Sequence, residues 1–184
     1  MNGTVGYYVH HQGEGHRQRA SAIAAAYGGP MTLIGTGLAD LSGAFSCLDL
    51  PDDRMAHGSF DGTDGTTRPP SLHYAPLHHA GLQERVAIIA NWIATSRPSL
   101  MVVDVSVEVA MLARLASVPI VYVRLNGRRD DQPHRDAFAS ALGLLAPFAE
   151  LLEEPGTPAW VRSKTLYAPN IVCGVTSHQV DHTR

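Results

Sequence analysis

The chain has 184 residues, of which 45% are hydrophobic and 17% charged, and a formal net charge of −3 at pH 7. That length suits one domain with a sizeable core, and the composition excludes a disordered chain. With no long basic stripe to neutralise phosphates, a general nucleic-acid binder is excluded as well. Two cysteines, Cys47 and Cys173, are too few for a disulfide framework and read as reduced cytosolic thiols. No apolar run approaches the roughly 20 residues of a membrane-spanning helix. Strand residues begin at once where a signal peptide would carry its basic and apolar regions, so a cytoplasmic protein is expected.

The first unit is TVGYYVHHQGEGHRQRASAIAAAY, from Thr4 to Tyr27. Its β-branched and aromatic start predicts a strand buried on both faces. Gly13 and Gly15 allow a sharp turn. From His16 the period becomes helical, with Ala20, Ile23, Ala24 and Tyr27 on one apolar face. Gly28, Gly29 and Pro30 stop that helix. A second strand is predicted over Met31–Ile34, a helical turn over Leu38–Leu41 and a third strand over Ser46–Leu50.

From Pro51 to Pro76 the chain is rich in Gly, Pro, Asp, Ser and Thr and reads as a long loop over one edge of the sheet. A helix is predicted from about His79 to just before Arg97-Pro98, carrying Leu82, Val86, Ile89, Trp92 and Ile93. Trp92 reads as core. A fourth strand, Leu100–Asp104, leads to a helix over Val107–Ala116 and a strand over Pro119–Val123. A charged loop, Arg124 to Pro133, precedes a predicted helix over His134–Leu145. A last short strand is expected over Ala149–Leu152, then a loop with a short helix around Trp160. Strand and helix alternate without an internal repeat. The expectation is an α/β fold, a doubly wound parallel sheet of Rossmann type, with ligands beyond the C-terminal strand ends.

That rule gathers three groups at one end of the sheet: the loop His10 to His16; Asp104 with Ser106 and Glu108; and Arg124 to Asp131. Free backbone N–H groups and the dipole at a helix N-terminus stabilise anions and developing negative charge, which draws attention to His16. Two readings stand. In one, His16 accepts a proton while Asp104 holds its other ring nitrogen. In the other, His16 bonds the loop and Asp104 caps the following helix. From the three groups, His11, Ser106, Arg124 and Asn126 are the expected substrate-binding residues.

Gly13 and Gly15 invite the dinucleotide fingerprint, but its third glycine falls at Gln18 and no acidic residue ends the MTLI strand. A nicotinamide-binding domain is rejected, and no phosphate loop of the G-x-x-x-x-G-K-[ST] type is present. His10, His11 and His16, or His73, His78 and His79, suggest a metal. Adjacent histidines on a strand point to opposite faces, so no metal is expected. The run Arg128, Arg129, Asp130, Asp131 reads as a solvated loop.

The opening YYVHHQGEGHRQRASAIA resembles the first strand, loop and helix of GT-B glycosyltransferases of the MurG and macrolide-transferase type. The segments LMVVDVSVEVAMLARLASVPIVYVRL and PGTPAWVRSKTLYAPNIV are similar to a later strand-helix-strand and to the end of the N-terminal domain. The resemblance implies an acceptor-binding domain over residues 1–172, with a long loop at 51–78 and a tail or interdomain linker at 173–184. It implies an inverting transfer from a nucleotide-sugar co-substrate, with no further cofactor. His16 would be the general base and Asp104 its orienter, with Glu14 the alternative base and Gly13 and Gly15 lining the interdomain cleft. The implied partners are a small-molecule or lipid-linked acceptor, with room for peripheral membrane contact, and a donor-binding domain, following in the chain or separate. The 184 residues alone would then be inactive. The competing readings are half of a nucleotide-sugar epimerase and a non-catalytic binding or scaffold domain.

Overall fold

A computed structural model describes residues 3–11, 13–55, 68–169 and 171. Strands β1 (Val5–Tyr8), β2 (Met31–Gly35), β3 (Ser46–Asp49), β4 (Leu100–Asp104), β5 (Ile120–Val123), β6 (Gly143–Ala146) and β7 (Thr165–Tyr167) form one sheet. Its order is β3-β2-β1-β4-β5-β6-β7, and every adjacent pair is parallel. The helices are α1 (Glu14–Tyr27), α2 (Ala80–Ser96), α3 (Val107–Leu115), α4 (Gln132–Ser140) and α5 (Ala159–Ser163). This is the α/β, Rossmann-like sheet that the alternation predicts.

The central strands are apolar on both faces because both are covered. On one face Tyr8, Met101, Val103, Ile120 and Tyr122 pack with Ile89 and Ile93 of α2, Ala110 of α3 and Phe138 of α4. On the other, Tyr7, Leu33, Val102 and Val123 pack with Ala20 and Ala24 of α1. Trp92 packs against the first cluster, as expected for core, and lies so close to Gly6 that a Cβ there would meet its ring at 2.8 Å.

Helix α1 begins two residues before His16, with Gly13 as its N-cap at φ +99°. The helix predicted over His134–Leu145 is corrected: α4 ends at Ser140, and the remaining residues form β6. An apolar run such as ALGLLA fits a buried strand or a buried helix equally by period, and here Leu144 and Ala146 are fully buried between β5 and β7. The strand expected over Ala149–Leu152 is a short 3-10 turn, Glu150–Leu152, with Leu151 exposed. The last strand is instead β7. Of the long loop, residues 56–67 lie outside the described residues, as do Cys173 and the tail from 172 onward. The described ends of the loop lie at the C-terminal end of the sheet, where Asp53, Arg54, His73 and Tyr74 line one cleft. Tyr74 OH donates to Asp53 O at 2.7 Å, and the Tyr74 N–H donates to Glu108 at the start of α3, beside the central strand β4. Among the described residues no helix is long and apolar enough to cross a membrane.

Candidate functional site

Strands β1 and β4 are neighbours, but the chain continues from them in opposite directions, to β2 on one side and β5 on the other. Outside the C-terminal strand ends such a reversal opens a crevice. Here it is a cleft of about 590 Å³ whose lining includes His10, His11, His16, His73 and His134, together with Tyr8, Asp53, Ser106 and Glu108.

His16 stands on the first turn of α1, and its N–H donates to Gly13 O at 3.3 Å. Asp104 ends β4 with no solvent exposure. The two meet, with His16 Nδ1 2.9 Å from Asp104 Oδ2. Arg19, one helical turn beyond His16, completes the group. Its Nη2 donates to Asp104 at 2.8 and 3.1 Å and lies 2.9 Å from His16 Nδ1. A carboxylate buried this deeply would be costly alone, and Arg19 supplies the compensating charge. Nδ1 of His16 therefore has two neighbours with opposite demands. Protonated, it faces the Asp104 carboxylate and leaves Nε2 as the basic nitrogen; unprotonated, it accepts from Arg19 and the proton sits on Nε2.

The chain leaves β4 by a strained turn. Val105 has φ +54°, a left-handed conformation that β-branched residues seldom adopt. The Ser106 N–H donates to Asp104 O across it at 2.9 Å, and Tyr122 OH donates to Val105 O at 2.6 Å. The Ser106 hydroxyl then accepts from the Val109 N–H and caps α3. This turn sets Glu108 at the cleft, where Oε1 accepts from the N–H groups of His73 and Tyr74 at 2.6 and 2.7 Å.

A second histidine–carboxylate contact lies beside the first, with His11 Nδ1 3.2 Å from Asp53 Oδ1. Arg85, buried inside α2, lies 3.4 Å from Asp53 Oδ2 and donates to Tyr8 OH, Thr36 Oγ1 and Pro51 O. The His10 ring stacks on His11 at 4.8 Å between centroids and lies 5.2 Å from His16. Burial, then the neighbouring His11 and His16, lower His10 to about 4, so it is neutral at pH 7. Burial lowers His11 too, against the pull of Asp53.

Of the residues expected from sequence, His11, His16 and Ser106 line the cleft and Asp104 supports it. The others do not line it. Glu14 is exposed, 3.8 Å from Arg17 Nε. Gly13 and Gly15 start α1 with open space around them. Arg124 is buried and bound to Glu153, Thr165 and Tyr167, and it faces a separate pocket of about 250 Å³. Asn126 is exposed and accepts from the Gly127 N–H within its own loop. Arg19, Arg85 and His134 carry no site signal in the sequence, whereas His73 belongs to one of the histidine sets that suggest a metal and Asp53 lies in the long loop. Arg85 carries a signal of burial only: it lies four residues before Ile89 and eight before Ile93, on their buried stripe. His10, His11 and His16 share the cleft, and the candidate group of metal-ligating atoms among the described residues is His73, Asp131 and His134, whose donor atoms lie within 4.8 Å of one another.

No protein-family model and no curated protein matches the sequence. Solved structures do match the fold. MurG of Acinetobacter baumannii aligns with a TM-score of 0.55 and 13% identity, over 89% of this chain and 44% of that one. A UDP-N-acetylglucosamine 2-epimerase from Rickettsia bellii aligns at 0.54 and 13%, over 91% and 44%. The spinosyn rhamnosyltransferase SpnG, solved with thymidine diphosphate, aligns at 0.54 and 12%, over 85% and 48%. The chain thus spans about half the length of each structure. Its seven-stranded parallel sheet has the fold of one Rossmann-like half of the GT-B enzymes.

Proposed function

We infer that the chain is the acceptor-binding half of a glycosyltransferase that moves a sugar from a nucleotide-sugar to an acceptor hydroxyl. The carrying observation is His16 against buried Asp104 in a cleft at the β1/β4 reversal. In this reading Asp104 holds the proton on Nδ1, and Nε2 takes the acceptor proton as its oxygen attacks the anomeric carbon. The bond to the nucleotide phosphate breaks on the opposite face, so configuration inverts, and no metal takes part in that proton transfer. Asp104 stabilises the imidazolium that forms. His16 is favoured over Glu14, which points at Arg17 outside the cleft lining. His11 and Ser106 contact the acceptor.

The match to about half of each neighbour supports a donor-binding domain elsewhere, in the same chain or another. The 184 residues alone would lack activity, because base and donor would never meet. Sugar transfer by this chain alone would overturn that point. The decisive measurement is His16→Ala in the two-domain enzyme, assayed with nucleotide-sugar and acceptor. A base of this kind contributes about 10²–10⁴-fold, so turnover surviving within a few-fold sinks the assignment.

The epimerase neighbour favours a second reading, half of a nucleotide-sugar epimerase. Incubation with UDP-sugar and no acceptor separates the two, since only an epimerase isomerises the sugar under those conditions.

A further inference from the structure

His73 and His134 line the cleft, with Asp131 against them, and the three have no part in the proposed transfer. His73 precedes α2, Asp131 is the N-cap of α4, and His134 stands three residues later on the first turn of α4. One ligand atom from each lies within 4.8 Å of the other two.

Each is held in place. Asp131 accepts from the His134 N–H at 3.2 Å, and both its oxygens lie 2.8 Å from His134 Nδ1. His134 is 5% exposed. The main chain of His73 is tied to α3 through Glu108, and its ring meets His134 edge-on, 4.7 Å between centroids. Helix capping accounts for Asp131 alone. It calls for neither a buried imidazole against the cap nor a second imidazole brought from a distant segment.

We propose that His73, Asp131 and His134 bind one divalent transition-metal ion of the zinc type, with a coordination position open to the cleft. Two imidazoles and a carboxylate suit zinc, cobalt or nickel, whereas magnesium and calcium prefer all-oxygen shells. Tetrahedral zinc with bonds of about 2.0–2.2 Å sets its ligand atoms roughly 3.4 Å apart. The donor atoms therefore shift by about an ångström on metal binding: the exposed His73 side chain moves by rotating, and the hydrogen bond between Asp131 and His134 Nδ1 gives way or leaves Nε2 as the ligand. Three protein ligands leave the fourth position for water or for an oxygen of a bound molecule. Arg129 lines the same cleft beside His73 and His134, so the oxygen that fits is an anionic one, as in a phosphate. The metal holds a ligand and leaves proton transfer to His16. This proposal does not depend on the glycosyltransferase reading, since the ion would bind whether or not sugar is transferred.

The test is zinc titration of the chelator-stripped full chain by calorimetry, with metal content read after gel filtration. The expected result is one tightly bound Zn²⁺ per chain, weakened about tenfold or more in His73→Ala and in Asp131→Asn. Asparagine caps a helix as well as aspartate, so the second variant keeps α4 in place. His78→Asn, at an exposed neighbouring histidine, binds as the wild type. Absence of stoichiometric binding overturns the site, and so does binding unchanged in both His73→Ala and Asp131→Asn. For the open position, inorganic phosphate is added to the Co²⁺ form. A shift in its visible spectrum is expected, and an unchanged spectrum rules out the open position.

Discussion

Arg19 donates to both carboxylate oxygens of Asp104, at 2.8 and 3.1 Å, across 85 residues of sequence. Asp104 is fully buried and Arg19 nearly so, so removing one charge strands the other. Arg19→Met should cost about 3–5 kcal/mol of stability, the usual result of breaking a buried pair. Arg19→Met combined with Asp104→Asn should recover much of that loss. Urea unfolding of the two variants checks it, and additive losses would mean that the pair is not coupled.

The histidine cluster predicts a particular acid sensitivity. His10 is lowered from 6.5 to about 4 by burial and by its neighbours His11 and His16. The unfolded chain therefore takes up this proton first as pH falls. Stability from this group is whole above about pH 6.5 and is lost progressively down to about pH 4. His10→Gln should flatten that part of the stability–pH curve, and a curve of unchanged slope would show that His10 does not carry it.

A different window belongs to Glu153. Burial opposes its ionisation, but hydrogen bonds from Arg124, Tyr167 and Thr157 hold its carboxyl at about 2, below the usual 4.5. A depressed carboxylate stabilises the fold above its unfolded value and loses that contribution as pH falls through the folded one. The loss is expected between about pH 4.5 and 2, and Glu153→Gln should remove it. Chemical denaturation at stepped pH distinguishes this from the His10 window.

The alternation of strand and helix is legible because buried parallel strands read as apolar runs, and LMVVD with its terminal carboxylate coincides with β4 to the residue. His16 and Asp104 are legible as a pair because the helix start after β1 and the end of β4 lie at the same end of the sheet, where topology concentrates ligands. Arg19 and Arg85 were hidden because a charged residue on a helix ordinarily faces water. Only tertiary packing turns these two inward, onto Asp104 and onto Tyr8 and Asp53. His73 and His134 are 61 positions apart, and nothing local to either shows that Glu108 fixes the backbone of one beside the other. Strand β6 is hidden in the sequence because a short apolar run carries no period.

The exit from β1 supplies a last prediction. Gly35, the final residue of β2, faces Val9, and a Cβ there would lie 2.6 Å from Val9 O and 3.2 Å from Val9 Cβ. The first of these atoms is backbone and cannot rotate away, so the strand end itself has to move. Val9 leads directly into His10 and His11, so the displacement reaches the cleft. Gly35→Ala should cost about 1–3 kcal/mol, the usual effect of overpacking, and should perturb the imidazole resonances of His10, His11 and His16. Gly43→Ala is the contrast: its Cβ would meet nothing within 4 Å, and stability should stay within about 0.5 kcal/mol of the wild type. Thermal unfolding and histidine NMR on both variants decide the matter, and equal effects at the two glycines would show that the Val9 contact does not constrain the loop.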